Sequence, residues 1–126
     1  MKIAPLNTGE LNGSASRDGD LVLLVFSGNA DSRADTQLEA FLQGVHAELQ
    51  NETIRRVDVD IRELEFLNSS CFKGFITWIV QVRRMNPASR YRIRFLSSAK
   101  YPWQKRSLHA ISFFGGGDLI SVSTED

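Results

Sequence analysis

The spacing of apolar residues along the chain switches repeatedly between a period of two and a period near 3.6, the spacings that separate strands from helices. Residues 6–17 are rich in Gly, Ser and Asn and only weakly periodic, which reads as a loose edge strand running into an Asp18-Gly19 turn. The run "LVLLVFS", residues 21–27 closed by Gly28, is continuously β-prone and suggests a central strand buried on both faces. Leu38, Phe41, Leu42, Val45 and Leu49 then recur at helical steps, so residues 32–50 read as a helix with Ser32 as its N-cap and Asp35 near its positive end.

The alternation returns in residues 56–64, where Val57, Val59 and Ile61 face one way and Asp58, Asp60 and Arg62 the other. After Asn68 the stripe Phe72, Phe75, Ile76, Ile79 and Val82 predicts a second helix, ending near Asn86-Pro87. Tyr91, Ile93 and Phe95 alternate with Arg92 and Arg94 in a further strand. Pro102 suits a first helical position, and Leu108, Ile111 and Phe114 predict a short helix stopped by Gly115 to Gly117 before a last strand at residues 119–123. Strands alternating with helices after a β-rich start imply an α/β domain with a mixed sheet of four or five strands and helices mainly on one face. Its core is expected to hold Val57, Val59, Ile61, Phe75, Ile76, Ile79, Ile93 and Phe95.

Composition narrows the function. With 126 residues, 42% of them apolar and 24% charged, residues 1–126 suit a single soluble domain. Fifteen basic residues balance fifteen acidic ones, so the chain has no overall bias toward nucleic acid or an anionic membrane. Cys71 is the single cysteine, which excludes an internal disulfide and a multi-cysteine metal site. The start lacks the apolar run of a signal peptide, and a cytoplasmic setting is expected. No Gly-rich loop is followed by Lys-Ser or Lys-Thr, so neither nucleotide hydrolysis nor a cofactor is expected.

The stretch "FLNSSCF", residues 66–72, is where strand periodicity gives way to helix periodicity. In α/β domains such loops, leading from a strand's carboxyl end into a helix N-terminus, tend to carry ligands and modifications. Two adjacent hydroxyls there can serve a helix cap or a partner. From the residues alone, capping by Asn68 or Ser69 accounts for them.

The segment "VDVDIRELEFLNSSCFKGFITWIVQVRR" resembles the signature of the STAS domain, the fold of bacterial anti-sigma factor antagonists, in which an apolar strand with an aspartate precedes an Asp-Ser-Ser-Gly turn and a helix. "VFSGNAD" is similar to the glycine-containing turn after an early strand of that family. "RELEFLNSS" with "PWQKRSL" is closer to an uncharacterised bacterial branch of STAS-like regulators in which Asn commonly stands for the Asp. The resemblance implies that Ser69 is the serine phosphorylated by a partner kinase, with Asn68, Ser70, Cys71, Lys73 and Asp60 as candidate partner-binding residues. Asn68 stands where the wider family has Asp, and Cys71 where it has Gly.

What the resemblance implies is a non-enzymatic cycle. The unmodified protein holds an anti-sigma factor or a serine protein kinase, phosphorylation releases it, and a metal-dependent serine phosphatase resets it. Two alternatives stay open: a constitutive scaffold or homodimerisation module in which the serine is only a cap, and a small-ligand sensor.

The remaining candidates have plainer readings. Cys71 has no second cysteine to resolve an oxidised form, and His46 and His109 are too isolated for zinc. Arg83, Arg84, Arg90, Arg92 and Arg94 lie around a helix end and along a strand, without the interleaved aromatics of an RNA-binding module. Trp103 serves equally as a core anchor or a partner contact.

Overall fold

In the computed structural model, which describes residues 2–125, Leu6–Asn7 (β1), Leu11–Asp18 (β2), Leu21–Ala30 (β3), Arg56–Leu67 (β4), Arg92–Ser97 (β5) and Ile120–Thr124 (β6) form one sheet in that order. The first three strands are antiparallel, and β3 through β6 run parallel. Six strands replace the four or five expected. The weakly periodic segment is a hairpin because residues 8–10 fold it back: Asn7 Oδ1 accepts from the Gly9 N–H at 3.0 Å, Thr8 Oγ1 accepts from the Leu11 N–H at 3.2 Å, and Gly9 has a φ of +89°. A polar turn of this kind interrupts a strand without changing its period.

Helices Asp35–Leu49 (α1), Ser69–Arg83 (α2) and Trp103–Gly115 (α3) fill the three crossovers between the parallel strands. Since the strand order advances one step at a time, crossovers of the usual right hand place every helix on the same face. Val22, Leu24, Phe26, Val57, Val59, Ile61, Ile93 and Phe95 are buried on that face, and the Phe26 ring meets Phe41 and Phe75 edge-on with centroids 5.6 and 5.5 Å away. Of the residues expected in the core, only Ile76 is partly exposed.

The one-sided helix layer corrects the reading of residues 21–27 as buried on both faces. Leu23 is 37% exposed and Val25 half-buried, because the opposite face of the sheet has no helix. That face is instead laced with ion pairs: Asp58 lies 2.8 Å from both Arg56 Nε and Arg94 Nη2. The Arg92–Asp118 pair lies at 3.0 Å. These contacts account for two of the five clustered arginines, Arg92 and Arg94, as surface ion pairs.

A second correction concerns the entry to α1. Asp31, not Ser32, makes the cap: its carboxylate accepts from the Arg33 N–H at 2.9 Å, and a short 3-10 turn, Ser32–Ala34, precedes the helix. Along α3, Phe114, the last residue of the stripe that predicts this helix, is 41% exposed; Gln104 joins Leu108 and Ile111 on the buried side.

Candidate functional site

The turn from β4 into α2 brings together five of the six residues singled out in the sequence. Asn68 is the N-cap, with φ −81° and ψ 172°, and its Oδ1 accepts from the Cys71 N–H at 2.9 Å and from the Ser70 hydroxyl at 3.0 Å. The capping role therefore belongs to Asn68. Ser69, the first helical residue, is exposed, and its hydroxyl has no hydrogen-bond partner among the described residues. The N–H groups of Ser69 and Ser70 likewise have no acceptor among the described residues and lie at the positive end of the helix dipole. Lys73 is exposed one turn further on.

Cys71 lies behind this surface, fully buried. Its thiol donates to the Asp31 carbonyl at 3.3 Å, while the Asn68 N–H donates to the Ala30 carbonyl at 2.9 Å. Together these bonds tie the start of α2 to the loop after β3. Burial pushes the Cys71 thiol up to about 11, with Asp35 and Asp31 adding to the effect. It is a packed thiol, not a reactive thiolate. Within β3, at the register slip before this loop, Gly28 has a φ of +93°, and a Cβ there would run into the Glu10 carbonyl oxygen.

Asp60 is not part of this turn. Its side chain lies on the helix-free face, where Arg62 Nη2 donates to it at 2.8 Å and Arg62 Nε at 3.0 Å. Burial raises the Asp60 carboxyl, but the hydrogen bonds from Arg62 outweigh it and the net displacement is below the usual carboxylate range. Arg62 also reaches Glu125 at 3.3 Å. The Asp60 carboxylate is thus engaged within a local ion-pair cluster.

Two contributors were missed in the sequence. Strand β4 outruns β5, with pairing that ends at Asp60 opposite Leu96, and its register against β3 slips twice between Val25 and Asn29. Backbone carbonyls left by such irregularities need other donors. Gln104, fully buried, supplies them: Nε2 donates to the Ile61 carbonyl at 2.7 Å and the Leu64 carbonyl at 3.0 Å, while Oε1 accepts from the Ser98 N–H at 2.9 Å. Its neighbour Trp103 donates from Nε1 to the Glu65 carbonyl at 2.8 Å. The dipeptide "WQ" thereby fixes the end of the strand that delivers Asn68 and Ser69. Gln104 shares a helical stripe with Leu108 and Ile111, and that spacing was the available signal. The second omission is Phe66, 48% exposed and two positions before the cap.

Among the described residues no cluster of His, Cys, Asp and Glu is arranged to hold a metal ion, and no helix is long and apolar enough to cross a membrane.

No protein-family model matches the chain, and no curated protein does. Solved structures do. An anti-sigma factor antagonist from Mycobacterium paratuberculosis superposes with a TM-score of 0.64 at 15% identity, over 85% of this chain and 82% of that one. The Bacillus cell fate determinant SpoIIAA, in its phosphorylated form, gives a TM-score of 0.59 at 17% identity, over 90% of this chain and 92% of that one. The chain has the STAS fold. An uncharacterised protein of the DUF3478 family with a SpoIIAA-like fold, from Shewanella loihica, also matches this STAS-type domain, with a TM-score of 0.56 at 14% identity over 96% of this chain and 90% of that one. The neighbours identified by role are regulatory proteins, and they share with this domain the fold that carries the α2 turn.

Proposed function

We propose that this domain is a phosphorylation-controlled, non-enzymatic binding protein of the cytoplasm, with Ser69 as the phospho-acceptor. In its unmodified form it holds a serine protein kinase or an anti-sigma factor through the surface around Ser69, Lys73 and Phe66. Phosphate on Ser69 releases that partner, and a metal-dependent serine phosphatase restores binding.

The observation that carries this reading is the division of labour at the turn. Asn68 supplies the side-chain cap, so the exposed Ser69 hydroxyl is left without a structural task. Phosphate there would meet the N–H groups of Ser69 and Ser70 and the positive end of α2. Asn68 also lacks the negative charge of the Asp usual in the wider family, which removes one carboxylate from beside the phosphate. The helix is therefore suited to keep its shape on modification, while about −1.5 to −2 charges are added to a surface that includes the exposed Phe66 ring. A partner packed on that ring would be displaced by desolvation and repulsion.

The direct test is to incubate the purified protein with ATP and each serine kinase encoded near its gene, then map any phosphate by mass spectrometry. One phosphate on Ser69, absent from Ser69→Ala and with Ser70 unmodified, is expected. Phosphate found only at other residues would remove the switch and leave a constitutive scaffold.

A further inference from the structure

The last strand is an unprotected edge. The Leu119 carbonyl accepts from the Ile93 N–H at 3.0 Å and the Glu125 N–H donates to the Ser97 carbonyl at 2.7 Å, so the odd-numbered residues of this strand direct their backbone groups toward β5. By the alternation of a strand, Ile120, Val122 and Thr124 direct theirs away from the sheet. Nothing among the described residues pairs with that side. Edges are normally blunted by lysine, proline, a bulge or extreme shortness. The opposite edge, β1, has two residues and follows directly on Pro5, whereas "ISVST" in β6 spans five and contains no charge and no proline.

A groove of about 520 Å³ runs beside this edge, between β6 and α3. Val122 and Leu108 are its apolar lining, and its charged or titratable lining is all of one kind: Lys105, Arg106 and His109. Neither Lys105 nor Arg106 has a carboxylate within ion-pairing distance among the described residues, in contrast to the paired Arg56, Arg62, Arg92 and Arg94. Val122 is 44% exposed at the rim.

We propose that β6 and this groove take an extended segment of a partner protein, rich in β-branched and acidic residues, as a seventh strand. Backbone pairing to Ile120, Val122 and Thr124 supplies affinity, and alternate side chains enter the groove, where Lys105 and Arg106 select carboxylates. Charge favours such a partner over a second copy. Antiparallel self-pairing centred on Val122 would bring the Lys105 and Arg106 linings of two basic grooves to the same joined edge. This surface is separate from the α2 turn and does not depend on phosphate at Ser69.

The test uses the full chain and a labelled, end-capped octapeptide of alternating valine and glutamate, read by fluorescence anisotropy. Three controls accompany it: the valine–lysine octapeptide, the glutamate peptide N-methylated at alternate residues, and sedimentation without peptide. Saturable binding at least tenfold tighter for the glutamate peptide than for either control is expected. Val122→Pro, which removes an outward N–H without touching the β5 ladder, should weaken it at least tenfold. The exposed double variant Lys105→Glu, Arg106→Glu should reverse the charge preference, and it decides the matter if Val122→Pro does not fold. Ser69→Ala should bind like the parent. Equal affinity for both charges, or no response to the double variant, would overturn the proposal. A dimer that the double variant or Val122→Pro dissociates would assign the edge to a second copy instead.

Discussion

Two turns leave the carboxyl ends of neighbouring parallel strands and enter helices on the same face of the sheet, yet they use their polar side chains in opposite directions. At the turn into α2, Asn68 closes the helix end and the hydroxyl of Ser69 is directed to solvent. At the turn into α3 no side chain caps the helix; Pro102 occupies the N-cap position, and Gln104 and Trp103 reach inward to the backbone of β4. One turn leaves a hydroxyl exposed and the other commits its polar groups to the backbone. Topology alone makes both candidates for function. What separates them is whether each polar group is already engaged.

Breaking the turn into α3 should have the largest effect. Gln104→Leu keeps the volume but strands two carbonyls and one N–H in the core, so a loss of roughly 3 kcal/mol or more is expected in chemical denaturation. Gln104→Glu should fare little better, because a carboxylate cannot donate to the Ile61 and Leu64 carbonyls. At the turn into α2, Asn68→Ala should cost about 1 kcal/mol, the usual worth of an N-cap, while Asn68→Asp should retain the cap.

A smaller, pH-dependent effect lies in neither turn. Trp78 Nε1 donates to the Tyr91 hydroxyl at 2.9 Å, and that oxygen lies 3.0 Å from His46 Nδ1. With its lone pair engaged by Trp78, the Tyr91 hydroxyl is set to donate to a neutral His46. Burial holds the His46 imidazole below its ordinary value of 6.5. The unfolded chain therefore takes up this proton first, and stability should fall as pH drops through about 6.5, being fully retained above it. Comparing the parent with His46→Gln across pH 5 to 8 isolates this contribution; a parallel response in both would assign it elsewhere. The Asp60 carboxyl, held down by Arg62, loses its contribution only in more acidic solution, below its ordinary 3.8, so the two windows do not overlap.

The smallest effect sharpens the comparison most. Ser69→Ala should change stability by no more than about 0.5 kcal/mol, since the hydroxyl has no bond to lose among the described residues. A loss as large as that of Asn68→Ala would return Ser69 to a structural role.

Much of this architecture was legible in the sequence. Helical stripes such as Leu38, Phe41, Leu42, Val45 and Leu49 are one-sided enough to fix α1, and the Val57, Val59, Ile61 alternation fixes β4. The change of period at Asn68 marked the α2 start to the residue. What could not be read were features set by neighbours distant in the chain. The hydrophobic run in β3 does not reveal that every helix lies on one face, because that follows from strand order. The hairpin in residues 6–18 hides in a polar stretch whose turn is made by side-chain hydrogen bonds. Gln104 drew no reading of its own, because its partners lie some forty residues earlier, on β4. Asp60 and Arg62 had the spacing of one strand face, but that face proved to be the one away from α2.

The central claim is that the hydroxyl of Ser69 is a control point on a scaffold that does not need it. The most direct measurement is the affinity of the neighbouring serine kinase or anti-sigma protein for the unmodified chain, the chain phosphorylated at Ser69, and Ser69→Ala, all at one salt concentration. The account predicts that phosphate weakens binding at least tenfold, about 1.4 kcal/mol, while Ser69→Ala binds like the unmodified protein and no longer responds to the kinase. Equal affinity of the phosphorylated and unmodified chains would contradict it.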